Sequence, residues 1–145
     1  MTHWLEKQVQ SEPSRPIETL SGWFPSANAA RAATLLAWAD HAGTLKPRPT
    51  PLIESILIEA PEPRVALRTV DPLFWYLGTC GLYLVDEAAW KQWRDPLATM
   101  LITRQRQDGN FSGSWDPVRR DAQAGGRIYS TALSIMALRL CNQVR

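Results

Sequence analysis

Charge of one sign, long apolar runs, cysteine and histidine are all scarce in this chain of 145 residues, and each scarcity argues against a class of function. Sixteen Lys and Arg against fourteen Asp and Glu leave a formal charge of +2, a balance that gives no electrostatic reason to expect nucleic acid as a partner. The uncharged apolar runs fall short of the ~20 residues that span a bilayer, so no membrane span is expected. The opening MTHWLEKQVQ lacks the apolar stretch of a signal peptide, which makes a cytoplasmic location the default expectation. The two cysteines, Cys80 and Cys141, lie far apart inside apolar stretches, where a free thiol behaves as a small hydrophobe, so no disulfide framework is expected. His3 and His41 stand near no cysteine at a ligand spacing, which leaves no catalytic zinc, and no glycine-rich phosphate loop occurs. No metal or cofactor is expected.

Trp, Pro and Arg are abundant instead: seven, eleven and thirteen residues, the last against three Lys. Several prolines follow a capping residue, where proline's fixed φ suits a first helical position. Thr50-Pro51, Asp71-Pro72 and Asp95-Pro96 are each expected to open a helix, the last one closed by Gly109 as the residue after the C-cap. Ser26 can cap a helix ending near Gly43, and a final helix is expected from about Arg127 to Cys141, entered through Gly125-Gly126. Period-2 alternation is missing, so the chain reads as all-α. The longer loops, Ser11 to Pro25 and Asp108 to Gly126, carry Ser21-Gly22-Trp23 and Gly113-Ser114-Trp115; the short proline-rich connections Leu45–Pro49 and Ala60–Pro63 act as spacers.

A repeat runs through this pattern. Small–Thr–apolar steps recur at Ala33-Thr34-Leu35, Gly78-Thr79-Cys80 and Ser130-Thr131-Ala132, with the threonines 45 and 52 residues apart. Such periods belong to helical-hairpin repeats. One domain of three hairpins follows, with units at roughly residues 1–44, 45–86 and 87–145.

The third unit carries a family signature. Met100-Leu101, Gln105, Gly109 and Gly113-Ser114-Trp115 together resemble the QW repeat of squalene and hopene cyclases, with Met100 at a position where that family prefers an aromatic and residues 110–113 as an insertion. Trp115-Asp116-Pro117 and the run Gly125 to Leu133 resemble the closing repeat of bacterial prenyltransferase and squalene-oxidase repeat proteins; Phe74 to Thr79 and Trp90 to Trp93 resemble the helices before it. The likeness extends from about Asp71 to Leu140, with only Gly22-Trp23 and Ala33 to Leu36 echoing it earlier. It implies an (α/α) toroid, of which three hairpins make a partial ring or arc. It also implies that Gln105, Gly109 and Trp115 are structural: a glutamine bonding exposed helix-end groups beside a stacked tryptophan ties neighbouring hairpins.

The chemistry that this superfamily supports elsewhere is missing from the chain. There is no Asp-x-Asp-Asp acid cluster, no zinc-ligand set, and Cys80-Gly81-Leu82-Tyr83 lacks the Glu-Gln of a thioester. Asp108, Asp116 and Asp121 share one loop region in which Arg119, Arg120 and Arg127 can neutralise them. Gly125-Gly126 with Arg127 could present amides to an anion, though packing is the commoner use of such glycines. The candidate cavity or binding surface comprises Trp75, Tyr76, Tyr129, Thr131 and Arg127, whose aromatic members form a wall for an apolar ligand if they face the concave side, though packing between inner and outer helices is the commoner use of such residues. At helical spacing Trp75, Thr79 and Leu82 form one stripe and Tyr76 with Tyr83 the next, so only one set can face inward. The expected function is a non-catalytic repeat module that binds a protein partner, a second copy, or an apolar small molecule. The alternative is the C-terminal part of a terpenoid-cyclase-like or prenyltransferase-like enzyme whose acid lies outside this sequence.

Overall fold

A computed structural model describes residues 24–40, 49–61 and 70–143. Among them every regular element is helical: α1 (Ala27–Asp40), α2 (Thr50–Ile58), α3 (Pro72–Val85), α4 (Glu87–Arg104), a one-turn 3-10 segment (Gly109–Phe111) and α5 (Arg120–Cys141). The all-α reading therefore holds for these residues. His3, Ser21-Gly22-Trp23, His41, Gly43 and most of the two short spacers lie outside the described residues.

Local chemistry explains the helix starts. Ser26 Oγ accepts the Ala29 amide at 3.0 Å, and Asp71 Oδ1 accepts the Phe74 amide at 3.0 Å, so each satisfies a donor the first turn cannot. Thr50 behaves differently from the sequence reading, since it is already helical and Pro49 precedes it with no side-chain cap. Asp95-Pro96 also departs from expectation, because Pro96 lies inside α4. The start is set by Asp86, whose Oδ1 accepts the Ala88 and Ala89 amides at 2.9 and 3.1 Å. Continuing through the proline forfeits one amide bond but keeps Trp90, Trp93, Leu97, Met100 and Leu101 buried on one helix.

One further boundary moves, and one holds. α4 ends at Arg104 with Gln105 as its C-cap, and Gly109 begins the 3-10 segment rather than terminating the helix. The range of α5 joins two helices across Gly126, whose φ 70° and ψ −171° are not helical, so the long helix begins at Arg127 as expected and a short helical stretch from Arg120 precedes it. Only glycine reaches that conformation without strain, so the glycine pair is the entry to the long helix that the sequence predicts.

Packing follows a simple order. α3 is flanked by α1 and α5, α2 packs on α1 and α4, and α4 contacts both α3 and α5. Gly81 permits the tightest of these approaches, for a β-carbon there would lie 3.0 Å from the Leu35 side chain of α1. Leu35, Ile56, Leu82, Trp90, Trp93, Leu97, Met100 and Leu101 fill the interior. Trp93 donates its indole N–H to Thr79 Oγ1 at 3.0 Å and meets Phe74 edge-on at 5.5 Å, which locks α4 against α3. Thr34 and Thr79 both turn their hydroxyls back to the carbonyl four residues earlier, Ala30 and Trp75, as buried helix threonines do.

The starts of α1, α3 and α5 meet at one carboxylate. Asp71, 2% exposed, caps α3 through Oδ1 and accepts the Ser26 hydroxyl at 2.5 Å through Oδ2, while the Arg119 guanidinium lies 3.4 Å from Oδ2. Arg119 precedes α5 and also donates to the Pro25 carbonyl at 3.3 Å and to Asp121 Oδ1 at 3.0 Å. Three donors from three parts of the chain thus converge on one buried carboxylate.

Candidate functional site

The loop between α4 and α5 is built by its own polar residues. Arg106 N–H and C=O pair with Ser114 O and Gly113 N at 2.9 and 2.8 Å, closing the loop on itself. The Arg106 guanidinium then grips Asp108 with two hydrogen bonds and reaches Asp116 at 3.0 Å, while Arg127 holds the other Asp116 oxygen at 2.5 Å. Arg106 first, then Arg127, keep the Asp116 carboxyl below the usual carboxylate range, and Arg106 does the same for Asp108. Arg127 also stacks over Phe111, 4.2 Å from the ring centre, and donates to Ser114 Oγ at 3.2 Å.

The QW-type residues divide the tying role differently from the expected arrangement. Trp115, buried, donates its indole N–H to the Leu101 carbonyl at 2.8 Å, in the last turn of α4, where carbonyls lose their helical partners. Its backbone N–H donates to Thr131 Oγ1 of α5 at 3.2 Å. Gln105 spans no helix end; its Nε2 donates to the Gly113 carbonyl at 3.0 Å within the loop. The tryptophan thus joins α4 to α5, and the glutamine stiffens the loop that presents it.

A cavity of about 270 Å³ opens beside this tie. Val70, Pro72, Trp75, Trp115 and Val118 supply its apolar walls, with Ser134, Arg104 and Asp116 as the polar lining. Of the proposed surface residues, only Trp75 lines it. Tyr76 lies half-buried on the next stripe of α3 beside Cys80, whose charge, followed by burial, raises the phenol above its ordinary value. Tyr129 is half-buried on α5, its phenol raised by burial and then by the Asp121 and Asp71 carboxylates. Thr131 and Arg127 are engaged with Trp115 and with the loop, so the five residues do not form one wall. Trp75, Thr79 and Leu82 are all buried, consistent with the stripe that packs between helices.

The loop acids pair in part with the anticipated arginines, Arg119 with Asp121 and Arg127 with Asp116, while Arg106, not anticipated, holds Asp108 and the other Asp116 oxygen. Asp121 has one oxygen on Arg119, and its buried Oδ2 meets no donor. Among the described residues no three His, Cys, Asp or Glu side chains gather as a metal-binding group, and no helix is long and apolar enough to cross a membrane. Ser134 and Arg106 escaped sequence reasoning. Ser134 looks like any helix serine until the loop folds over it, while Arg106 follows Gln105 directly and was masked by the motif. Comparison with known protein families, with curated proteins and with solved structures finds no match to this chain.

Proposed function

We propose that the chain is a non-catalytic helical-repeat module, an arc of the (α/α) toroid kind bearing a QW-type tie, that docks an amphipathic helix of a protein partner on the open face of α5. The neighbour order α1–α3–α5 with α2 and α4 against it supports the arc, as does the Trp115 bridge between α4 and α5. One observation carries the docking reading. Ile128, Ala132, Ile135 and Met136 form an exposed apolar stripe on α5, with Ile128 85% exposed, on the side opposite the buried Leu133, Ala137 and Cys141. Arg139 lies in line with this stripe, exposed and in no ion pair among the described residues, so the matching helix carries a carboxylate near one end of its apolar face.

A photo-cross-linking residue placed at Ile128 in the full chain tests this. The expected result is a cross-link to one partner protein, mapped to an apolar helical segment with a nearby Asp or Glu, and weakened by Arg139→Glu. A cross-link solely into a second copy, with doubled mass in light scattering, replaces the partner with self-association. No cross-link under native conditions overturns the reading.

A further inference from the structure

Independently of the α5 face, we propose that the cavity beside Trp115 binds a small neutral ligand, an apolar body carrying one hydroxyl or carbonyl oxygen, with Ser134 as its hydrogen-bonding partner. Three observations converge on that chemistry. The first is size: at protein packing density, 270 Å³ accommodates roughly ten heavy atoms, more than the gaps ordinary interiors leave open. The second is the wall. Trp115 commits its indole and backbone donors to Leu101 and Thr131, so toward the cavity it offers apolar ring surface alone, and Val70, Pro72 and Val118 add more. The third is the hydroxyl. Ser134 is 3% exposed, lines the cavity and makes no hydrogen bond among the described residues, which leaves a buried donor and acceptor for whatever occupies the space. The Trp75 indole N–H, in the same lining, is likewise unused among the described residues.

The charged residues point to a neutral occupant. Asp116 already has Arg106 and Arg127, and Arg104 donates from Nε to Met100 Sδ at 2.9 Å and has a further partner, so neither calls for a ligand ion. A ligand of this kind gains from apolar burial in a preformed site and is oriented by a single polar contact.

The probes are 4-ethylphenol and its isostere 4-ethyltoluene, titrated into the full chain while the indole and backbone amide resonances are followed by NMR. Both should shift Trp75, Trp115 and Ser134, the phenol binding about tenfold more tightly, the worth of one good hydrogen bond. Ser134→Ala should erase that preference while leaving 4-ethyltoluene unaffected. Val118→Phe, at a half-buried loop position, should weaken both probes by narrowing the space. Failure of either probe to move these resonances in the folded wild-type chain overturns the site. A preference for the phenol that survives Ser134→Ala overturns the assignment of Ser134. Neither result depends on the cross-link from Ile128.

Discussion

Replacing Asp71 with alanine removes the cap of α3, the acceptor for the Ser26 hydroxyl and the counter-charge of Arg119 together. The expected loss is about 2–3 kcal/mol, read as a lower urea midpoint, and Asp71→Asn should recover part of it by keeping an acceptor for Phe74. Cys141 makes a separate prediction in alkali. Burial pushes its thiol up to about 11, so between pH 9 and 11 the unfolded chain binds fewer protons than the folded one. The stabilisation is present in full below pH 9 and fades as pH rises toward 11. Cys141→Ala should flatten that part of the stability profile, and the wild-type thiol should resist alkylation until the chain unfolds. Caps of this sort were legible in advance, because Ser26 and Asp71 act through their immediate neighbours. Their mutual bond was not, since it joins residues 45 positions apart.

At the level of elements, the approach of α1 to α3 depends on a missing side chain. Gly81→Ala should improve helix propensity yet destabilise the protein by about 1 kcal/mol net, because the new methyl meets Leu35 atoms that are backed by the core. Thermal denaturation of the variant checks the sign, and Leu35→Ala in the same chain should relieve the crowding, seen as a double-mutant coupling. Helix existence was clear from apolar periodicity and proline placement. A boundary failed where tertiary burial outweighed a local rule, since α4 runs through Pro96 to keep five large residues on one buried face, whereas the break at Gly126 was legible from the glycine pair. The loop carrying Trp115 was recognisable as a tie, but which atom tied what depended on the geometry of Arg106 closing on Ser114.

Across the whole molecule, the exposed stripe of α5 separates stability from association. Ile128→Lys together with Ile135→Lys should leave the unfolding midpoint within about 0.5 kcal/mol of wild type, since both side chains face solvent, while abolishing capture at that face. Denaturation and cross-linking measured on one preparation distinguish the two effects. The cavity was only partly legible: Trp75 was a candidate from its stripe, whereas Ser134 and Val118 join it through a fold of the chain that no local pattern encodes. The junction at Asp71 has a consequence for biosynthesis. Pro25 and Arg119 stand 94 residues apart and bond directly, so this contact beside the start of α1 can form only once the chain through Arg119 has left the ribosome, later than the bond of Ser26 to Asp71. A chain halted before Arg119 would leave the Asp71 carboxylate without its cation, with Ser26 and the Phe74 amide as its remaining donors.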